Sequence, residues 1–266
     1  MANSRQQRQA SRYSNIFLHI SSTIIILVLS FCIFSREAAA HHAKDYIVVE
    51  SYDTTYEEQV YVLNEFDFFK PDTDHGSKDN WEYTPTVLYG ITDRLMYNFH
   101  FHVKRVTGRD PFFEAFTMGL QYRLLERHEL PVDIAFSLDY EYPTPRSEDV
   151  LDGKDIMTLT GIFSKNFRHG INVTLNLFGE REIVLGEHSE IGWRVGAKGP
   201  VIPPLRRRLE AGLEFEGIFD KDPRTEVIPG VYTHVFDGNV IKAGIGFGLT
   251  EEADDMSFRA VYLHEF

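Results

Sequence analysis

The sequence predicts an all-β protein, namely a closed antiparallel transmembrane β-barrel of about 12 strands that follows a cleaved signal peptide. Three observations carry this prediction. An export leader opens the chain, apolar and polar residues alternate with period two over most of the remainder, and the last residue, Phe266, ends an alternating strand. Because a sheet in lipid must satisfy every backbone hydrogen bond, such strands have to close into a barrel.

Residues 1–40 have the composition of a secretory signal peptide that is removed after Ala40. Three arginines and no acid precede the apolar run IFLHISSTIIILVLSFCIFS, and the small residues AAA stand just before the cleavage point. The apolar run is also near the length of a membrane span, so an uncleaved anchor is the alternative. The single cysteine, Cys32, belongs to this leader, and the exported chain therefore forms no disulfide.

The charge balance argues against a nucleic-acid partner. The chain carries 40 acidic and 27 basic residues, a net charge of −13. The leader contains four arginines and one glutamate, so its removal raises the acidic excess to 16. A surface of that sign repels the phosphate backbone of nucleic acids.

The remaining chain is divided into segments that alternate in polarity. In LMYNFHFHV, Tyr97, Phe99 and Phe101 share one face, while His100 and His102 lie on the other. Most segments reach the length of about 9–11 residues that a tilted strand needs to cross a bilayer. The twelve segments with this pattern are 57–70, 80–91, 93–105, 112–126, 131–143, 154–166, 170–182, 189–201, 206–219, 224–236, 239–251 and 255–266.

The predicted connections differ between the two ends of the barrel. Compact turns such as ITDR and FDGN alternate with longer, acid-rich loops such as PDTDHGSKDN and TPRSEDVLDGKD. Long loops on one side and short turns on the other are typical of outer-membrane barrels. An even number of strands also brings both ends of the barrel to the short-turn side.

These boundaries predict three regions: a signal peptide over 1–40, an N-terminal periplasmic segment or plug over 41–56, and an outer-membrane β-barrel over 57–266. A soluble β-sandwich is the alternative fold, because its strands also alternate in polarity. The long apolar faces, rich in Phe and Tyr near the strand ends, favour the barrel. The first strand fits least well, since Asn64 falls on its apolar face.

The last strand carries a candidate insertion signal. Phe258, Tyr262 and Phe266 lie on one face of SFRAVYLHEF. This pattern resembles the C-terminal signature of Gram-negative outer-membrane proteins, which their assembly machinery recognises. His264 departs from the signature, because an apolar residue is usual at that position. The resemblance implies residence in the bacterial outer membrane, with outer-membrane lipid, lipopolysaccharide and the assembly machinery as partners.

A further resemblance rests on the stretch EYTPTVLYGITDRLMYNFHFHV, residues 82–103. It is similar to a recurrent piece of the MetA-pathway phenol-degradation transporter family, in which a Pro-containing strand leads through an aromatic-Gly turn with T-D-R into an alternating strand. The later pieces IPGVYTHVF and IKAGIGFGL fit the same style. The resemblance implies a channel or transporter for small organic compounds.

The polar faces of the strands predict a lumen lined by charged and amide side chains. Carboxylates cluster on the fifth and ninth strands and bases on the third, fourth and eighth, so the predicted field runs across the lumen and would orient a polar or zwitterionic solute. The residues predicted to line the lumen are Glu82, Asn98, His100, His102, Lys104, Gln121, Arg123, Asp133, Asp139, Glu141, Asn172, Asn176, Arg194, Lys198, Glu210, Glu214, Glu216, Lys242 and Arg259.

The sequence predicts neither catalytic residues nor a metal or cofactor. His100 and His102, two residues apart on one strand, have a spacing that a metal ion can use, but a polar role in the lumen is the preferred interpretation. Some outer-membrane phospholipases place a serine and a histidine together on the lipid-facing side, within hydrogen-bond reach. The alternation places His264 on that side, with no serine on the same face of a neighbouring strand.

These observations predict an outer-membrane channel or transporter that passes small, organic solutes by passive diffusion. A barrel of this size lies between eight-stranded barrels, which side chains fill, and sixteen-stranded porins, which hold a water channel. The alternative is a plugged structural or surface-interaction barrel that acts through its acidic extracellular loops.

Overall fold

The computed structural model is a closed barrel in which each strand pairs with its neighbours in chain order. It describes residues 46–70, 79–125, 129, 131–144, 154–183, 189–201, 209–220, 223–236 and 239–266. The leader and most of the long acidic loops lie outside the described residues. The strands are β1 (Val60–Lys70), β2 (Asn80–Thr92), β3 (Leu95–Val106), β4 (Phe112–Arg123), β5 (Asp133–Pro143), β6 (Ile156–Asn166), β7 (Asn172–Glu182), β8 (Ser189–Pro200), β9 (Leu209–Ile218), β10 (Thr225–Phe236), β11 (Asn239–Gly248) and β12 (Met256–Glu265).

The barrel closes between its first and last strands. β1 and β12 pair in antiparallel register from Tyr61 opposite Glu265 to Lys70 opposite Met256. The backbone N–H of Phe266 extends this seam by donating to the carbonyl of Val60 at 3.0 Å. The predicted fold class, a closed antiparallel barrel of about 12 strands, is therefore confirmed.

The two faces of the sheet differ in polarity as a bilayer requires. Large apolar side chains are exposed on the outer face, among them Phe101, Leu138 and Ile245. Polar side chains such as Glu214 and Lys242 are fully buried on the inner face. A closed barrel with an apolar outside and a polar inside is the architecture of the bacterial outer membrane. Among the described residues, no helix is long and apolar enough to cross a membrane.

The outward position of Asn64 is resolved by its neighbour on β2. The Tyr83 hydroxyl donates a hydrogen bond to Asn64 Oδ1 at 2.6 Å. The Tyr262 hydroxyl makes the same kind of bond to Asn239 Oδ1, also at 2.6 Å. A tyrosine with an apolar ring and a polar tip suits this role at a membrane surface. The amide on the outer face of β1 is thus satisfied without a change of register.

Candidate functional site

Residues 46–56, called the inner segment below, lie inside the barrel ahead of β1. The segment forms no regular strand, and its backbone is satisfied by inward-facing side chains of the barrel. At one end Tyr46 contacts Asn172 of β7, and at the other Thr54 contacts Asp93, next to β2. The segment therefore crosses the lumen from one wall to the other, in the half nearer the short turns.

Glu214 of β9 holds the start of the inner segment. Its carboxylate accepts hydrogen bonds from the backbone N–H groups of Ile47 at 2.7 Å, Val48 at 2.8 Å and Val49 at 3.0 Å. The Tyr232 hydroxyl donates to the same carboxylate. Because Glu214 is fully buried, its side-chain oxygens need several donors of this kind. Removal of the segment would take three of them away.

Two lysines surround Tyr46. Lys242 Nζ donates to the Tyr46 carbonyl at 3.1 Å. Lys198 Nζ lies 4.7 Å from the Tyr46 ring centroid and 4.8 Å from that of Tyr232, which are cation–π distances. The Tyr46 hydroxyl donates to Asn172 Oδ1 at 2.6 Å, and burial raises the pKa of this hydroxyl well above its ordinary value. The hydroxyl therefore stays protonated and keeps donating.

Glu50 is the centre of the inner segment. Its backbone pairs reciprocally with the side chain of Asn176, which accepts from the Glu50 N–H at 2.6 Å and donates to the Glu50 carbonyl at 3.0 Å. Its carboxylate accepts from the Ser137 hydroxyl at 2.9 Å and from Arg194 Nη1 at 3.4 Å. Glu50 thus connects the segment to the charged side chains higher in the lumen.

The far end of the inner segment is held by β4. Gln121 Nε2 donates to the carbonyls of Ser51 at 2.9 Å and Asp53 at 3.1 Å. Arg123 forms an ion pair with Asp53 at 3.8 Å and donates to the Asp93 carbonyl at 2.8 Å. These contacts are to backbone as well as side chains, so they fix the path of the segment.

The close approach of the segment to β2 depends on Gly90. A Cβ at this position would lie 1.8 Å from the carbonyl oxygen of Tyr56 and 2.8 Å from that of Thr55. We expect Gly90→Ala to displace the segment or to lower the free energy of unfolding by about 1–3 kcal/mol, because backbone atoms cannot move aside locally. A heat-modifiability series on gels measures this. Gly179→Ala, whose Cβ would meet nothing within 4 Å, is the matched control and should unfold as the wild type does; equal stability of both variants would contradict the prediction.

Above the inner segment, four charged residues form an ion-pair chain: Arg194 of β8, Glu216 of β9, Glu226 of β10 and Arg259 of β12. Arg259 Nη2 lies 2.6 Å from Glu216 Oε1 and 2.7 Å from Glu226 Oε2. Arg194 is held more loosely, with its Nε 3.5 Å from Glu216 Oε2. Arg194 and Glu216 are direct partners in the pairing of β8 with β9. The chain therefore links the inner faces of these four strands with charges of alternating sign.

Two cavities meet at the ion-pair chain. The outer cavity, of about 420 Å³, lies toward the long loops and is lined by residues such as Phe69, Glu180 and Asp254. The inner cavity, of about 350 Å³, is lined by the inner segment and by side chains of the opposite wall. Both cavities are lined by the ion-pair residues Arg194, Glu216 and Arg259, which consequently stand between them.

The remaining polar side chains of the lumen pair mainly with near neighbours. His102 Nδ1 lies 2.7 Å from Glu82 Oε1, and Asn98 Nδ2 donates to Asp139 Oδ1 at 2.9 Å. This pairing reduces the charge separation across the lumen that the sequence predicts, because bases and carboxylates meet between adjacent strands. Further pairs of this kind are Lys104–Glu114, Lys198–Glu210 and Arg194–Glu216.

The structure places the residues predicted to line the lumen on the inner face. They differ in their contacts: some contact the inner segment, some belong to the ion-pair chain, and the others do neither. The inner segment contacts Gln121, Arg123, Asn172, Asn176, Arg194, Lys198, Glu214 and Lys242. Glu216 and Arg259 join Arg194 in the ion-pair chain, whereas Glu82, Asn98, His100, His102, Lys104, Asp133, Asp139, Glu141 and Glu210 lie elsewhere on the inner wall. Among the described residues, no group of three or more His, Cys, Asp or Glu side chains is arranged to hold a metal ion.

The predicted insertion signal lies on the outside of the barrel. Phe258, Tyr262 and Phe266 are exposed, and His264 sits beside Asn239, whose Oδ1 is 2.9 Å from His264 Nδ1. The ring of His264 packs edge-on against that of Phe266, with centroids 4.3 Å apart. Aromatic residues at the end of β12 thus face the side where lipid would be.

Several functional candidates escape sequence reasoning, and Glu50 and Glu226 are two of them. Glu50 precedes the first strand, and no alternation assigns it a face. Glu226 is the second residue of β10 and points inward, where it accepts hydrogen bonds from Ser257 and Arg259. The sequence does contain a signal for the inward position of Glu226, because Glu226 falls on the same face of the strand as the buried Ile228 and Tyr232.

The barrel is similar to the crystal structure of an outer-membrane channel from Pseudomonas putida F1, with a TM-score of 0.59 and 12% identity over 81% of this chain and 98% of that chain. The fold is that of an outer-membrane β-barrel. More distant likenesses include the translocator domain of the autotransporter NalP from Neisseria meningitidis, with a TM-score of 0.46 and 12% identity over 78% of this chain and 88% of that chain. No family model and no curated protein matches the sequence.

Proposed function

We propose that the protein is an outer-membrane channel that passes small organic solutes by passive diffusion, with the inner segment as its plug. The observation that carries this proposal is the succession of two cavities, of about 420 and 350 Å³, that leads from the long-loop end to the inner segment. Residues such as Arg194 line both cavities, so a solute in one is adjacent to the other.

Two resemblances support the proposal. The stretch over 82–103 resembles the MetA-pathway phenol-degradation transporter family, whose members are associated with small organic compounds. The solved barrel from Pseudomonas putida F1, which is described as a channel, has the same fold over nearly its whole length. The size of the solute is inferred from the cavities, because a site of this volume suits a small molecule.

The plug follows from the position of the inner segment. Residues 46–56 are held at both walls of the lumen by hydrogen bonds from strands β4, β7, β9 and β11. Passage to the short-turn end requires the segment to move or to rearrange. The channel is therefore expected to be mostly closed and to open in short events.

Single-channel recording on refolded residues 41–266 in a planar bilayer tests the proposal. The expected result is brief openings, and an ion preference that changes when Glu216, which lines both cavities, is replaced in Glu216→Gln. Liposome swelling with sugars of increasing size should show uptake of the small solutes only. A heat-modifiable, folded barrel without conductance or uptake would overturn the channel.

A structural or surface-interaction barrel is the second candidate. The filling of the lumen by the inner segment favours it, since a permanently closed barrel would present only its loops to the outside. The acidic loops that would act in this case lie mostly outside the described residues. Lack of solute uptake both in the wild type and in a variant whose segment is released would support this function instead.

A further inference from the structure

Four basic side chains line the outer cavity, and two of them, Arg194 and Arg259, belong to the ion-pair chain. Arg259 is tightly bound, with contacts of 2.6 and 2.7 Å to two carboxylates and a side chain that is 12% exposed. Arg194 has contacts of only 3.4 and 3.5 Å, and its side chain is 29% exposed. Because longer and more exposed ion pairs are weak, Arg194 is the guanidinium of the ion-pair chain that can exchange a protein carboxylate for one on a solute.

The position of the Arg194 guanidinium is fixed by packing against β7. It lies over the ring of Phe178, with Cζ 4.7 Å from the ring centroid. Phe178 is the register partner of Gly192, where a Cβ would come within 2.2 Å of the Phe178 ring. Gly192 therefore lets the ring lie against β8 and brings the guanidinium toward the mouth of the cavity.

Two carboxylates stand closer to the mouth of the outer cavity than the Phe178–Gly192 pair, by one same-face position along the strands. Glu180 of β7 and Glu190 of β8 are direct register partners, and both line the outer cavity. Like charges opposite each other on one face are unfavourable, and a cation between them relieves the repulsion. One same-face step along a strand is about 7 Å, so these carboxylates and the Arg194 guanidinium lie within the span of one small molecule.

The overall charge of the cavity decides which kind of solute fits. Its lining has six carboxylates and four basic side chains, so an anion meets an excess of like charge. A simple cation has no interaction with Arg194. A molecule with both charges satisfies both ends of the site and carries no net charge into it.

We propose that the outer cavity binds a small zwitterion of the amino-acid type, with its carboxylate on Arg194 and its ammonium group between Glu180 and Glu190. The site rests on the proposed channel function, of which it specifies the solute class. Because Glu50 of the inner segment also pairs with Arg194, the bound carboxylate takes the place of Glu50 there.

Calorimetric titration of the detergent-solubilised protein, residues 41–266, with three compounds that share one ring tests the proposal. The compounds are L-phenylalanine, phenylacetate and 2-phenylethylamine. L-Phenylalanine is expected to bind at least about tenfold tighter than either singly charged compound, since each charge-assisted hydrogen bond contributes about one such factor. Equal affinity for the three compounds would overturn the zwitterion site.

Four variants locate the two charges. Arg194→Gln should weaken L-phenylalanine about tenfold without changing 2-phenylethylamine, and Glu190→Gln should remove the advantage of L-phenylalanine over phenylacetate. Glu50→Gln should tighten L-phenylalanine, because it removes the competitor for Arg194; this gain does not arise from a folding defect. Arg181→Gln, an exposed arginine on the same strand as Glu180, is the control and should bind as the wild type does.

The outcomes separate the site from the channel. Unchanged L-phenylalanine affinity in Arg194→Gln together with unchanged affinity in Glu50→Gln would overturn the assignment of the carboxylate. Because the titration measures binding without transport, a protein that binds L-phenylalanine selectively but does not conduct would support the proposed site and overturn the proposed channel. A protein that conducts but binds the three compounds with equal affinity would support the proposed channel and overturn the proposed site.

Discussion

Glu214→Ala is expected to open the barrel. The substitution removes the acceptor of three backbone N–H groups of the inner segment, which lie 2.7 to 3.0 Å from the carboxylate. A buried donor left without a partner costs about 1–3 kcal/mol, so the loss of three weakens the docking of the segment and favours its release. Single-channel recording should show conductance several-fold above that of the wild type, in long openings instead of brief ones.

A second readout of the same variant is cleavage of the inner segment. Once released, residues 46–56 become accessible to an added protease, whereas the strands of the barrel stay protected. Glu114→Gln is the matched control, because Glu114 is a buried lumen carboxylate that pairs with Lys104. Wild-type conductance together with an uncleaved segment in Glu214→Ala would show that Glu214 does not hold the plug.

Arg259→Met is expected to destabilise the barrel strongly. Arg259 pairs with Glu216 and Glu226, and its removal leaves two neighbouring carboxylates without their cation. Breaking a buried ion pair from one side costs about 3–5 kcal/mol, because the other charge stays buried and unpaired. Denaturant unfolding of the refolded protein, followed by tryptophan fluorescence, measures the loss.

The double variant Arg259→Met/Glu216→Gln distinguishes an electrostatic from a packing effect. If the uncompensated carboxylates cause the loss, removing one of them should recover part of the stability. If the guanidinium matters only because it packs over Phe69, with Cζ 5.4 Å from the ring centroid, the double variant should be no more stable than Arg259→Met. Arg181→Met on the exposed face serves as the control for removing an arginine.

The strands are predictable from the sequence because alternate residues face lipid, which requires apolar side chains, and the lumen, which accepts polar ones. In β11, Ile245 and Phe247 are exposed outside while Lys242 is buried inside, as the period-two pattern of IKAGIGFGL requires. The seam was predictable for the same reason, since Phe258 and Tyr262 alternate up to the last residue. Closure of the sheet then follows from the need to pair every strand edge in a membrane.

The sequence offers a plug as one role for residues 41–56, but the contacts of the inner segment and the ion pairs are not predictable from alternation. Glu214 binds backbone N–H groups of the inner segment, and every residue type except proline offers that group, so the sequence YIVVESYDTTY shows no partner for it. The pairing of Arg194 with Glu216 depends on the register between β8 and β9. Alternation assigns each residue to a face of the sheet but does not fix the register between neighbouring strands. The sequence alone therefore does not show which bases and carboxylates lie opposite each other.

The path of the inner segment has a consequence for the order of folding. Tyr46 reaches Asn172, 126 positions along the chain, and Lys242, 196 positions along. Contacts of such sequence separation form late, because the chain between them must first be arranged. The segment is synthesised before the strands that it contacts and is expected to dock after they have paired. A hollow intermediate is therefore expected before the native state, and the newly inserted barrel should be leaky until the segment docks.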